Sequence, residues 1–203
     1  MSTSHGERGF VAVLPPGRRN RLSPNQLAKQ EQIVDAARRV LVRDGLAGCT
    51  ARAIAAEGPL TKSAIHYYFS DIDLLIDRAM AALVTDFLTG LRLVADKYDD
   101  PRERLWAVLE SYLGTFAEHP NAAFAWFEYW VAVGRADNVQ AAEVTLRSVI
   151  ELLTDLLDDV GIDDPRARAR ALQSYLLGAV VQQHVRRRPF AVLREEIELL
   201  CLA

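Results

Sequence analysis

The sequence predicts an all-α fold of about nine helices: an amino-terminal helix-turn-helix head of three helices, then a larger helical body. Three observations predict it. No run alternates apolar and polar residues as a half-buried strand does, and apolar residues recur instead at intervals of three and four. Between Thr50 and Leu75, several helix-capping residues crowd into one short stretch, TARAIAAEGPLTKSAIHYYFSDIDLL. Such crowding specifies short helices meeting at a tight corner. Beyond that stretch, proline, glycine and aspartate clusters punctuate long amphipathic segments.

The first helix starts at Ser23-Pro24. Ser23 caps, Pro24 suits the first helical position, Gln26 completes a capping box, and Leu22 is placed to staple to Leu27. Ile33, Ala37, Val40 and Leu41 form its inward face, and Gly45 ends it. Thr50 caps a second helix with Ile54 and Ala55 inward, broken by Gly58, Pro59 and Leu60. Thr61 caps a third, with Leu60 and Ile65 stapling its entry. Ala64, Ile65, Tyr68 and Phe69 follow at helical spacing, leaving Thr61, Lys62, Ser63, His66 and Tyr67 outside. Ser70 is expected to cap the fourth helix, with Asp73 three residues on and Phe69 stapled to Leu74. That helix should run from Asp71 to about Lys97, with Ile72, Leu75, Ile76, Ala79, Leu83, Phe87 and Leu91 inward. Breaks at Asp99–Pro101, His119–Pro120, Gly134–Asp137, Gly161–Pro165 and Pro189 divide the remainder into five more helices. Three regions are expected: a basic arm over 1–22, the helix-turn-helix domain over 23–75, and a helical ligand-binding and dimerisation domain over 76–203.

A chain of 203 residues, half of them hydrophobic, can bury a sizeable core. The net charge of −3 hides an asymmetry. Residues 1–70 carry ten Lys/Arg against five Asp/Glu, and residues 71–203 fourteen against twenty-two. A basic end on an acidic body fits a nucleic-acid-facing head. In the arm, Arg18, Arg19 and Arg21 follow a Pro-Pro-Gly break. They belong either to a solvated tail or to an arm laying arginines into a minor groove, and the Phe10–Leu14 run can dock on the body. Cys49 and Cys201 form no CxxC pair, which predicts a reducing compartment. Cys49 reads as a packing residue, and Cys201 as one near an interface. With the Phe10–Leu14 run too short for a signal peptide and no membrane-length apolar segment, the expected location is the cytoplasm.

The run from Ile33 to Leu75 resembles the DNA-binding domain of the TetR family of bacterial transcriptional regulators. The resemblance lies in the first helix (IVDAARRVLVRDG), the Gly45-to-Thr50 approach, the Ile54–Ala55 pair and the ending Tyr67, Tyr68, Phe69. It implies a repressor, without cofactor or catalytic residues, that sits as a homodimer on a palindromic operator and is released by a small molecule. In a helix-turn-helix the second helix enters the major groove with its amino-terminal residues at base edges. Here that implies DNA contact by Thr61, Lys62, Ser63 and Ala64, with His66 and Tyr67 one turn on. Thr50 and Arg52 match phosphate-contacting positions. Two departures stand out. Pro59 occupies a turn position where the family often has glycine, so Gly58 is expected to supply the left-handed conformation. Asp71 replaces a lysine at the start of the fourth helix, which removes a phosphate contact and predicts weaker nonspecific binding.

In the body, Trp106, Tyr112 and Phe116, then Phe124, Trp126, Phe127, Tyr129 and Trp130, make a dense aromatic set. They read either as ordinary core or as an aromatic-lined pocket. The pocket reading takes Trp106, Glu110, Tyr112, His119, Trp126, Phe127, Glu128 and Trp130, with the carboxylates favouring a cationic amphipathic or aromatic effector. For a dimer interface the stripes Leu172, Tyr175, Ala179 and Leu193, Ile197, Leu200 are expected, on helices over Asp164–Arg188 and Phe190–Leu202. The alternative is that they cover the protomer's own core. Arg186, Arg187 and Arg188 offset a helix dipole.

His5, His66, His119 and His184 stand alone, and no HExxH, nucleophile elbow, phosphate loop or metal-spaced set is present. The adjacent acids at Asp158–Asp159 and Asp163–Asp164 read as turn caps. The competing reading, motivated by Pro59 and Asp71, is a small-molecule- or partner-binding helical dimer with weakened DNA binding.

Overall fold

A computed structural model describes residues 23–135 and 140–202. The arm, with Arg18, Arg19, Arg21 and the Phe10–Leu14 run, and the Leu22 half of the first staple lie outside the described residues, as does Asp137.

Among the described residues there are nine α-helices and no strand. They are α1 (Pro24–Gly48), α2 (Ala51–Ala56), α3 (Lys62–Tyr68), α4 (Ile72–Ala95), α5 (Pro101–Glu118), α6 (Pro120–Arg135), α7 (Gln140–Val160), α8 (Pro165–Val185) and α9 (Phe190–Ile197). A single π-turn, Glu198–Leu202, extends α9. Among the described residues no helix is long and apolar enough to cross a membrane.

Local chemistry explains the boundaries. Ser23 and Gln26 form the reciprocal capping box, with the Ser23 amide donating to Gln26 Oε1 at 2.8 Å. Gly45 breaks α1 at φ 74°, ψ −174°, and a short helical turn continues to Gly48. Thr50 Oγ1 accepts from the Ala53 amide at 3.2 Å, and Thr61 Oγ1 from the Ala64 amide at 3.1 Å. The fourth helix corrects an expectation: its cap is Asp71, not Ser70. Asp71 is extended and its carboxylate accepts from the Asp73 amide at 3.0 Å. Leu74 is 51% exposed while Leu75 is buried as expected, so Phe69 and Leu74 do not share a buried face. Asp164 also departs from the turn-cap reading. It precedes α8 in a left-handed conformation, φ 50°, with no side-chain capping bond.

The corner between α2 and α3 closes without a left-handed residue. Positive φ occurs among the described residues only at Gly45, Gly161 and Asp164. The Leu60 amide donates to the Gly58 carbonyl at 2.7 Å, a three-residue turn centred on Pro59. Proline's fixed φ suits that turn, and the glycine is not needed for it.

Two buried clusters organise the molecule. The head cluster joins Ile33, Val40, Leu41, Ile54, Ile65 and Phe69 to Leu75, Ala79 and Met80 of α4 and to Tyr129 and Val133 of α6. The body cluster takes α4 from Val84 onward, with Leu105, Leu109, Leu153, Leu157, Leu172, Leu176, Leu193 and Ile197 among its members. The 24-residue α4 therefore passes through both cores. Helix α6 ties the head on its other side, where Tyr129 Oη donates to Asp77 at 2.9 Å.

Candidate nucleic-acid interface and ligand cavity

Thr50, Arg52, Thr61, Lys62, Ser63, His66 and Tyr67 are all exposed, and Ala64 is half-buried. Ile65 and Phe69 hold α3 to the head core, so the polar face of this short helix points outward as its spacing predicts. Tyr67 is 74% exposed and packs edge-on against Tyr68, with ring centroids 5.0 Å apart. Gln30 Nε2 donates to the Tyr68 carbonyl at 3.4 Å and Arg78 lies over the Phe69 ring, so α1 and α4 brace the carboxy end of α3. Among the described residues neither Arg52 nor Lys62 has an ion-pair partner. Arg39 and Arg43, by contrast, are both engaged by Glu57, the Arg39 bond being 3.2 Å. The Arg43 guanidinium, then Arg39, holds the Glu57 carboxyl below the usual carboxylate range. Unengaged charge thus stands on the outward face of α2 and α3, while neighbouring charge is already matched.

A cavity of about 390 Å³ opens where α4 leaves the head and enters the body. Val42 of α1, Met80, Leu83, Phe87 and Leu91 among others of α4, Tyr112 and Phe116 of α5, His119 at its end, Trp126 of α6, Val149 of α7 and Gln173 of α8 contribute to its wall. Phe87, Tyr112 and Phe116 form an aromatic triangle with centroid separations of 5.1, 5.3 and 5.5 Å. Burial pushes the Tyr112 phenol well above its ordinary range, with the Gln173 carboxamide partly offsetting this. Gln173 is only 4% exposed, and its Oε1 has no hydrogen-bond partner among the described residues. A buried acceptor left unpaired is costly, so the cavity favours an occupant that donates to it. At the cavity edge Asp86 is exposed and forms an ion pair with Arg38 of α1, which also meets Asp35 at 3.0 Å.

Several residues expected at a pocket lie elsewhere. Tyr112, His119 and Trp126 do line the cavity. Glu110 and Glu128 point to solvent, because the inward positions of their helices are taken by Leu109, Tyr112 and Tyr129. Trp106 faces the far side, against Phe190 and beneath the Arg194 guanidinium at 4.4 Å. Phe127 packs against the body core, and Trp130 packs at a tilt against Trp126 along the head core, with both Phe127 and Trp130 outside the cavity wall. Asp86 and Gln173 were missed. Gln173 carried a signal: it is a polar residue between Leu172 and Leu176 on an otherwise apolar stripe. Asp86 carried none, since one carboxylate on a long amphipathic helix reads as solvated surface.

The expected dimer stripe is also corrected. Leu172, Ala179, Leu193 and Ile197 are at most 2% exposed and pack inside the protomer, because α8 lies against α7 and α5. Tyr175 is half-buried, its hydroxyl donating to Glu196 at 2.6 Å. Leu200 does face outward, 61% exposed, beside Leu199 at 73%. On α8 the outward line is instead Ala167, Ala171, Ser174, Gly178, Val181 and Val185. Cys201 is buried in the body core rather than at a surface, and Cys49 is buried in the head.

Residues 33–79 match the profile of bacterial regulatory proteins, tetR family. The HTH-type transcriptional regulator BetI of Stenotrophomonas maltophilia (strain R551-3) is 28% identical over 105 residues, 51% of this chain and 54% of that protein. The HTH-type nicotine-responsive transcriptional repressor HdnoR of Paenarthrobacter nicotinovorans is 29% identical over 100 residues, 49% of this chain and 52% of that protein. The match therefore spans about half the length of these curated relatives. The crystal structure of the multidrug binding protein EbrR complexed with imidazole superposes with a TM-score of 0.66 at 23% identity, covering 94% of this chain and 98% of that one. At that identity the likeness is one of fold.

Proposed function

We propose that this chain is a member of the TetR family of bacterial regulatory proteins and acts as a DNA-binding transcriptional regulator, a repressor released from a palindromic operator by a small molecule. The observation that carries the reading is the outward face of α3. Thr61, Lys62, Ser63, His66 and Tyr67 stand together in solvent on a short helix whose other face is locked into the head core. A helix so presented offers its amino-terminal residues to base edges, and the unengaged Arg52 and Lys62 to bases or phosphates.

On this reading the functional halves are a head over 23–75 and a body over 76–203, with α4 crossing between them. One recognition helix buries too little to be specific, so two copies act together on half-sites about 34 Å apart. Their contact is proposed on the outward line of α8, Ala171, Ser174, Gly178, Val181 and Val185, with Leu199 and Leu200 beyond α9. Small residues there let two helices approach closely. The effector occupies the 390 Å³ cavity, where the unpaired Gln173 Oε1 presents an acceptor dipole to it. One relative is nicotine-responsive and a protein of similar fold holds imidazole, which supports a compact ring compound here.

The test is selection of bound duplexes from a random pool by the full chain in dilute buffer. Lys62→Ala with Tyr67→Phe should weaken the selected duplex at least tenfold while the fold is retained. Unchanged affinity would sink the residue assignment, and no enrichment of any duplex would sink the function.

A further inference from the structure

The pair Arg38–Asp86 has an unusual position. Arg38 lies on α1, in the head, while Asp86 lies on α4 beyond Val84, where that helix has entered the body core. The pair therefore ties head to body, and it does so at the cavity wall, since Asp86 is itself a lining residue. A second hollow, lined by Asp35, Arg38, Arg39, Val42 and Leu83, adjoins it through the shared Val42 and Leu83.

The charge inventory of the cavity points one way. Among the described lining residues Asp86 is the one carboxylate, and no lysine or arginine is present. Arg38, just outside, is already matched by both Asp35 and Asp86. An anionic occupant would meet Asp86, and the guanidinium nearest it, Arg38, already faces two carboxylates, which leaves His119 as the one described lining side chain able to take up positive charge. A cation would meet a carboxylate next to Phe87, whose ring packs on Tyr112 and Phe116 and whose face attracts positive charge.

We propose that the ligand of this cavity has a cationic head on an apolar body, and that its cation replaces Arg38 at Asp86, undoing the ion pair that joins α1 to the body half of α4. An ion pair with one partner more than half exposed is weakly held. A cation that also buries an apolar body in the cavity therefore outcompetes the guanidinium. The exchange supplies the differential affinity that release requires. In the state with the pair intact the ligand must break it, and in the state with the pair open Asp86 is already free. Equal affinity for both states would shift nothing. The effect on DNA rests on the repressor reading above; the binding step does not.

Equilibrium dialysis of the full chain against benzyltrimethylammonium, its neutral isostere 2,2-dimethylpropylbenzene, and phenylacetate tests this. The cation should bind at least tenfold more tightly than either. Asp86→Asn should remove that preference. Arg38→Met, which keeps the aliphatic stem, should tighten cation binding severalfold by freeing Asp86. A purely structural ion pair would move both variants in the same direction. Absent saturable binding of the cation, tighter binding of phenylacetate, or cation affinity unchanged or lowered in Arg38→Met would each overturn the proposal. In parallel, the cation should release a selected duplex from the wild type. Asp86→Asn, which lacks the pair from the start, should hold that duplex more weakly than the wild type before any cation is added and respond less to it. Full duplex affinity in Asp86→Asn would overturn the link to DNA. If no duplex is ever selected, the repressor reading fails while the dialysis still decides the ligand chemistry.

Discussion

At Gly45 the backbone takes φ 74°, ψ −174°, a region that side-chain-bearing residues essentially do not occupy. No atom lies within 4 Å of where a Cβ would sit, so strain rather than crowding forbids replacement. Gly45→Ala should cost roughly 1–3 kcal/mol in urea unfolding; an unchanged midpoint would contradict the assigned conformation. At Glu57, Arg43 and Arg39 keep the carboxyl easier to ionise in the folded chain than in the unfolded one. Its contribution to stability is therefore complete above the ordinary carboxylate range and is lost as pH falls through the lowered folded value. Thermal unfolding of Glu57→Gln should be lower than wild type near neutrality and converge with it in acid; a constant gap would reject the link. Burial, with Asp44 adding to it, raises the Cys49 thiol to about 11, and Cys201 is raised as well. Neither thiol should react with a thiol reagent until the chain unfolds. Which residues of α3 face outward was legible because exposure on a short helix follows from spacing and caps. The cavity residues were less so, because which aromatic meets a void depends on how six helices pack.

Among the helices, α3 and α8 show where sequence pattern suffices and where it does not. Helix α3 has one apolar face, so its polar face can only point outward. Helix α8 carries apolar or small residues on two faces, Leu172, Leu176 and Ala179 on one and Ala171, Gly178, Val181 and Val185 on the other. Either could be core, and the sequence pattern favoured the face that the protomer buries. The two faces should respond differently to substitution. Leu172→Ala should destabilise the fold by about 2–5 kcal/mol, as for a fully buried leucine. Val185→Asp, at a residue 88% exposed, should leave stability intact and lower the mass in sedimentation to that of one protomer. An unaltered dimer would place the interface elsewhere. Leu193→Glu, by contrast, would test folding and not assembly, since Leu193 is 1% exposed. The cap of α4 followed neighbouring chemistry too closely to place by pattern: Ser70 and Asp71 both suit the position, and the extended backbone at Asp71 decides it.

Among the described residues two cores are joined by α4, which runs through both, and by α6, which gives Ala123 to the body and Tyr129 and Val133 to the head. Leu75, Ala79 and Met80 of α4 belong to the head, Val84, Leu88 and Leu91 to the body, and the cavity opens between them. A ligand seated there would touch α4, whose head half packs in one core with Ile65 and Phe69 at the base of α3. All-α architecture, the corner and the asymmetry of charge were readable from the chain alone, because caps and periodicity are local. The cavity was not, because it is what remains after long-range packing. The central claim is that two heads, each offering α3, grip one duplex. The most direct test is the stoichiometry of the full chain on a duplex selected from a random pool, measured by sedimentation at low salt. The account predicts two protomers on a twofold-symmetric site, with affinity falling steeply as salt rises. Saturation by a single protomer, or no retained duplex at any salt, would contradict it.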